Sequence, residues 1–287
     1  MNDDILKLER TGETLIDAGK LSEAVACYRE IVSLAPEHAD AWLILGELQA
    51  ECGLMEEALT SIKQSLEYAP DNSDAWLSQA CLQHASGQLD EAKRSGLHAV
   101  EYETEYIEAW IFLSGIAGQL GEFEEAENCA WKALNLDDNN PSARVNYANA
   151  LVHLGRTKEA EKAYRKAITL QPDNIQAHIG LTSIQLGTKR AAEAPAHIKD
   201  ILEYDPGTIQ VLLDIGKELL EKQDSLGSIT LFTSILSVMP ASAETHFYLG
   251  KAYLLNTNTT DAVRCLEQAL RLSPQMTEAA ELLKDLK

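Results

Sequence analysis

The residues of this chain best suited to chemistry are its five cysteines and seven histidines, and their spacing decides what they can do. Cys81 and His84 stand three apart, which puts both on one face of a helix where they could touch one ion. No second pair has matching spacing, so the pair reads as part of a groove wall and no metal site is expected. Gly115, Gly118 and Gly121 form a glycine run with the flavour of a phosphate loop, yet no strand precedes it, Gly121 falls at a turn between two helices, and Gly115 and Gly118 fall on the inner face of a helix. No serine, cysteine or lysine is paired with an oriented base. The sequence therefore predicts no catalytic residue, no cofactor and no enzymatic activity.

The elements that position these residues follow from the prolines. Pro36, Pro70, Pro172, Pro206, Pro240 and Pro274 are separated by 34 residues or multiples of 34, and the two empty slots hold Thr104 and Asp138. With proline as position 32, position 8 reads Gly12, Gly46, Ala80, Ser114, Ala148, Thr182, Gly216 and Gly250. Position 20 reads Ala24, Ala58, Ala92, Ala126, Ala160, Ala194, Ser228 and Ala262. Small residues at two slots twelve apart are what two antiparallel helices need at their closest approach. Gly19, Gly53, Gly87, Gly121 and Gly155 occupy position 15, the turn between them, because glycine tolerates the left-handed conformation that ends a helix. Lys189 and Gln223 replace the turn glycine in repeats 6 and 7, and Pro195 is expected in the first turn of a second helix, where its missing N–H costs little.

Together with Trp42-x-x-Leu45-Gly46 and the recurring Trp76 and Trp110, this pattern resembles the tetratricopeptide repeat. The resemblance implies an all-α, right-handed solenoid of eight helix-turn-helix units. They span 5–38, 39–72, 73–106, 107–140, 141–174, 175–208, 209–242 and 243–276, and together form one domain over 1–287. Thr277 is expected to cap a short closing helix over 277–287, with Ala280 and Leu283 on its apolar side. His178 and His246 take the tryptophan slot, where partly buried packing is expected. Trp131, at position 25, should face solvent, either as an interface anchor or packed on the adjacent acidic loop.

Charge is unevenly spread. The net charge is −21, and residues 1–140 hold 28 acidic against 8 basic residues, a balance of −20. A field of that sign repels phosphates and anionic lipid headgroups, which argues against nucleic-acid or membrane-surface partners. It serves either solubility or recognition of a basic partner. No run of apolar residues is long enough to span a membrane, and Met1-Asn2-Asp3-Asp4 is acidic where a secretion signal is basic. Cys27, Cys129 and Cys265 share position 23 in distant repeats, too far apart for disulfides, so free thiols and a cytoplasmic location are expected.

In similar proteins, positions 2, 5, 9, 12 and 13 of the first helices line a groove that binds extended protein segments. Carried over, these slots hold Glu9, Glu13, Asp17, Asp40, Glu47, Glu51, Asp74 and Glu108 in repeats 1 to 4, with no Lys or Arg among them. Position 5 adds an apolar stripe that includes Leu43, Leu77 and Ile111, either shallow pockets or extra core. Asn149 and, beside it at position 6, Asn146 supply amides in repeat 5; Lys217 and Lys251 make the last repeats basic. The carboxylate-clamp residues of chaperone-binding members are missing, and Asn146 is the only rung of the asparagine ladder of glycosyltransferase members. The expected function is a non-enzymatic protein-binding scaffold or adaptor for a basic segment with apolar anchors. The alternatives are a recruiting arm of a larger glycosyl- or sulfotransferase, and self-association.

Overall fold

Each 34-residue period folds as two helices because its apolar positions recur at helical spacing and its ends carry stop signals. The computed structural model describes residues 2–188 and 190–286, with the side chain of Asn2 excluded. Every described element is helical. Two compact units result, residues 1–138 and 139–287. The first contains the hairpins α1 (Asn2–Asp17) with α2 (Leu21–Leu34), α3 (Ala39–Glu51) with α4 (Met55–Tyr68), α5 (Ser73–Ala85) with α6 (Leu89–Tyr102), and α7 (Ile107–Leu120) with α8 (Phe123–Leu136). The second contains α9 (Pro141–His153) with α10 (Thr157–Leu170), α11 (Ile175–Gly187) with α12 (Ala194–Tyr204), α13 (Ile209–Glu221) with α14 (Ser225–Val238), α15 (Ala243–Leu255) with α16 (Thr259–Leu272), and α17 (Thr277–Asp285). Within these bounds the expected all-α, tetratricopeptide-type fold is the fold observed.

The turn glycines take φ of 70° to 79°, and the same left-handed turn is kept without glycine at Gln223 (φ 58°) and Thr257 (φ 59°). Lys189, expected in the turn of repeat 6, lies outside the described residues. Beyond it a short 3-10 turn, Ala191–Glu193, leads into α12, and Pro195 stands in the first turn of that helix as expected.

The small-residue slots are fully used. The position-20 residues from Ala24 to Ala262 are all at most 2 % exposed. A Cβ added at Gly46 would sit 2.6 Å from Ile62 Cδ1, and one at Gly216 2.3 Å from Phe232 Cζ. At these two crossings the side chains of Ile62 and Phe232 already fill the space a methyl group would need.

The tryptophan slot has a polar purpose as well. Trp42 Nε1–H donates to the Pro36 carbonyl at 2.8 Å, Trp76 to Pro70 at 2.8 Å, and Trp110 to Thr104 at 2.9 Å. His178 Nε2 meets the Pro172 carbonyl at 2.8 Å and His246 Nε2 the Pro240 carbonyl at 3.1 Å. An imidazole N–H thus replaces the indole N–H, and His178 is buried to 2 % exposure. The residue before position 32 stays extended, φ −132° at Glu103 and −140° at Asp137, even where Thr104 and Asp138 replace proline. The repeat geometry holds this bend, and proline only reinforces it.

Five first helices start on side-chain caps, with His38, Asn72, Asn140, Asn174 and Ser242 accepting from the backbone N–H three residues on, while α7 and α13 start on Tyr106 and Thr208 without one. The closing helix departs from expectation. Met276, not Thr277, is its N-cap residue and makes no side-chain cap; Ala279 is buried while Ala280 is exposed. The backbone register of α17 is set by Leu282, Leu283 and Leu286 packing on Phe247, Leu266 and Ala269, which turns Ala280 outward.

Candidate functional site

The first unit presents its acidic first-helix residues in two states. Glu9, Glu47 and Asp74 are engaged by residues that cap or belong to the following first helix: Glu9 Oε1 lies 2.9 Å from Nε2 of His38, the N-cap of α3, Ser78 Oγ–H on α5 donates to Glu47 Oε1 at 2.8 Å, and O–H of Tyr106, the N-cap of α7, donates to Asp74 Oδ1 at 2.6 Å. Because His38 Nδ1 accepts from the Ala41 N–H, its proton is on Nε2 and points at Glu9. Glu13, Asp17, Asp40, Glu51 and Glu108 are exposed, and among the described residues none of them forms an ion pair.

Around Glu47 the charges are close enough to feel one another. Burial of its carboxyl, opposed by the Ser78 hydrogen bond and assisted by Asp74 and Glu51, pushes its pKa above the usual glutamate value. The neighbouring Cys81 thiol is pushed up by burial and by Glu47, which makes it a poor nucleophile at neutral pH. Its sequence partner His84 is held elsewhere, with Nε2 3.1 Å from Gln119 Oε1 and the ring edge-on to Phe112.

The basic residues of this unit that form ion pairs do so away from these slots. Lys20 pairs with Glu23, Arg29 with Glu57, Lys93 with Glu122 and Glu125, and Arg94 with Glu91; Lys132 lies over the Trp110 ring. These cations are committed to the second helices and the turns, while Lys7 and Arg10 stand on α1 itself, so the carboxylates unaccompanied by a cation on their own helix are those of α3, α5 and α7.

The apolar stripe resolves unevenly. Leu43 is 9 % exposed and packs with Ala58, Ile62 and Leu66, so it belongs to the core. Val145, Leu213 and Phe247 are likewise buried, whereas Leu77 and Ile111 remain partly exposed. In the second unit Asn146 is half-buried, and exposed Asn149 accepts from the buried Tyr164 O–H. That amide is already spoken for by the fold, which the position-9 slot alone did not reveal. Trp131 is 54 % exposed, as its position implied. Gly118 faces open space and Gly121 forms the hairpin turn, so the glycine run is accounted for by the repeat.

Sequence reasoning missed a buried ionic group in the second unit. Glu161, on α10, is held by Arg190 at 2.6 Å and Arg165 at 2.6 Å, and Arg190 also binds Glu193 at 2.7 Å. The hydrogen bond from Arg190 holds the Glu161 carboxyl below the usual glutamate range despite its burial. The only signal was an acid directly after the position-20 alanine, Ala160, which is too common to single out.

Among the described residues no helix is long and apolar enough to cross a membrane. Residues 6–207 match the family described as the cilia and flagella-associated protein 70 C-terminal domain, and residues 243–276 match the tetratricopeptide repeat. No curated protein matches the chain. Among solved structures, a tetratricopeptide repeat protein from Parabacteroides merdae superposes with a TM-score of 0.63 at 18 % identity, covering 99 % of both chains. The Cut9 and Hcn1 hetero-tetramer of APC/C gives 0.56 at 17 % identity over 97 % of this chain and 55 % of that one. MamA gives 0.54 at 19 % identity over 60 % of this chain and 94 % of its own. At these identities the likeness is one of fold.

Proposed function

Given that the chain belongs to the tetratricopeptide-repeat family described as the cilia and flagella-associated protein 70 C-terminal domain, we propose that it is a non-enzymatic scaffold that docks an extended, basic protein segment on the first helices of residues 5–138. The observation that supports this most is the segregation of charge. Ion pairs of Lys20, Arg29, Lys93 and Arg94 are made away from the groove slots, while Glu13, Asp17, Asp40, Glu51 and Glu108 stay exposed. A surface kept only for solubility has no need to leave one face unopposed. Lysines or arginines of a partner would meet these carboxylates, and its apolar side chains would meet the exposed parts of Leu77 and Ile111. Leu43 contributes to the wall from within the core. The five cysteines are unpaired thiols, and a reducing, cytoplasmic compartment is the setting we assign.

The test compares two charge reversals against a partner captured from the source cell. Glu47→Lys with Glu51→Lys, one turn apart on α3, is expected to lower the association rate about tenfold at low salt. Glu124→Lys with Glu127→Lys on α8 should change it less than about twofold. The difference should shrink as the Debye length falls to about 8 Å near 0.15 M salt. An acidic partner, or equal loss in both double variants, would reject the assignment.

A further inference from the structure

A second group of side chains, unrelated to the acidic face, converges in repeat 6. His178 on α11 and His197 on α12 bring their Nδ1 atoms to 3.0 Å, and Asp200 Oδ2 lies 3.8 Å from His178 Nδ1. All three ligand atoms fall within 4.8 Å of one another. His197 and Asp200 are three residues apart, so both project from one face of α12 toward α11. Two nitrogens bound to one zinc ion at about 2.0–2.1 Å in tetrahedral geometry are themselves about 3.3 Å apart. The two nitrogens therefore need to separate by only a few tenths of an ångström, and the partly exposed Asp200 carboxylate has to swing in from 3.8 Å.

The tautomer of His178 is decided by its other nitrogen. The Pro172 carbonyl can only accept, so Nε2 carries the proton and Nδ1 presents a lone pair to the other two groups. A ligating histidine whose distal N–H is anchored on a backbone carbonyl is the arrangement that fixes ring orientation in metal sites. Without an ion, the only proton available between the two Nδ1 atoms is that of His197, which donates to His178. Binding an ion requires His197 to carry its proton on Nε2 instead, a tautomeric change with no net gain or loss of charge.

The surroundings permit a cation. His178 is 3 % exposed and forms the floor; Asp200 is 40 % exposed and His197 half-buried, so the opposite side is open to a water ligand. Arg165 is the nearby positive charge, and it is drawn off by Glu161 at 2.6 Å and Glu193 at 3.7 Å. The Tyr204 ring, centred 6.0 Å from that of His178, closes one flank.

We propose that His178, His197 and Asp200 bind one divalent transition-metal ion of the zinc class, clipping α11 to α12 in a repeat whose hairpin has no turn glycine. Two imidazoles with one carboxylate and an open fourth position suit zinc, cobalt or nickel better than the oxygen-preferring calcium and magnesium. The equivalent slots of repeat 3 hold Trp76 and His98, with ring centroids 4.5 Å apart, and Ser95; those of repeat 4 hold Trp110, Lys132 and Cys129. Of these three repeats, only repeat 6 combines three metal-ligating side chains at slots 4, 23 and 26.

The experiment is a titration of the full chain with Zn²⁺ near neutral pH against a competing chelating dye, alongside Co²⁺ absorption. One ion per chain is expected, with cobalt d–d bands and no thiolate charge-transfer band. His197→Ala and Asp200→Asn, both at partly exposed positions, should each weaken binding at least about tenfold while circular dichroism stays unchanged. Cys81→Ser with His84→Ala should leave it unaltered. The absence of saturable one-to-one binding would overturn the site, as would parental affinity in both α12 variants. So would a thiolate band that disappears with Cys81.

Discussion

Residues 1–138 and 139–287 are built on the same repeat and use charge in opposite ways. In the first unit carboxylates stand on the first helices and the cations that form ion pairs do so elsewhere, so a one-signed face remains. In the second, an acid is drawn inward at Glu161 and met by Arg165 and Arg190, and in repeats 6 and 8 histidine fills the slot that holds tryptophan in repeats 2 to 4. The comparison teaches that the 34-residue period specifies helix packing and leaves the remaining positions free to carry either an open field or a closed polar network. The turns differ in parallel, with glycine in the left-handed position through repeat 5 and Gln223 and Thr257 bearing it later.

The packing shared by both units is the part most sensitive to change. Ala126, 2 % exposed, lies at the crossing of α7 and α8, where Ser114 O–H donates to its carbonyl at 2.8 Å. Ala126→Leu should overpack this crossing and cost about 2–3 kcal/mol in denaturant unfolding. Hydrogen exchange should show the loss first in repeats 3 and 4. Unchanged protection there would break the assumption that one register governs both units.

The contrast in charge makes two glutamates respond to pH with opposite sign. Glu161 has its pKa lowered in the fold, so its stabilisation is present above the ordinary glutamate value and is lost as pH falls through the lowered one. Glu161→Gln should therefore cost about 1–2 kcal/mol at pH 7, tempered by the half-exposed arginines, and almost nothing in strong acid. Glu47 has its pKa raised, so its contribution is full below the ordinary value and is lost as pH rises through the raised one. Glu47→Gln keeps an acceptor for Ser78 and should leave the protein at least as stable at pH 7, with no difference near pH 3. Urea titrations at the two pH values measure both, and a destabilised Glu47→Gln at pH 7 would contradict the open-field reading of the first unit.

A smaller effect separates the turns. Gln223→Gly should stabilise the chain by about 0.5–1 kcal/mol, because it relieves a side chain held at φ 58°. Gly87→Ala, at φ 75°, should cost about as much in the other direction. Thermal midpoints moving the same way in both variants would show that the non-glycine turns carry no strain.

The prolines, the small residues at positions 8 and 20 and the turn glycines determined the hairpins, their boundaries and the burial of each alanine, because these depend on backbone geometry repeated at a fixed interval. The placement of Pro195 and the exposure of Trp131 follow from that register too, whereas the hydrogen bond from the tryptophan slot to the carbonyl six residues earlier came only from the structure. What the tertiary structure alone decided is which side chains meet. Leu43 and Leu77 share position 5, yet Leu43 is buried among Ala58, Ile62 and Leu66 while Leu77 stays partly open. Glu47 and Glu161 are both acids on helices, but only one meets arginines, 4 and 29 residues further along the chain. His178, His197 and Asp200 come together across a hairpin through a ring orientation set by the Pro172 carbonyl. A repeat period fixes where each Cα lies relative to its neighbours. It cannot specify the rotamers, desolvation and pairwise charges that act over the last few ångströms between side chains, and those are what make a carboxylate a structural anchor or an exposed charge.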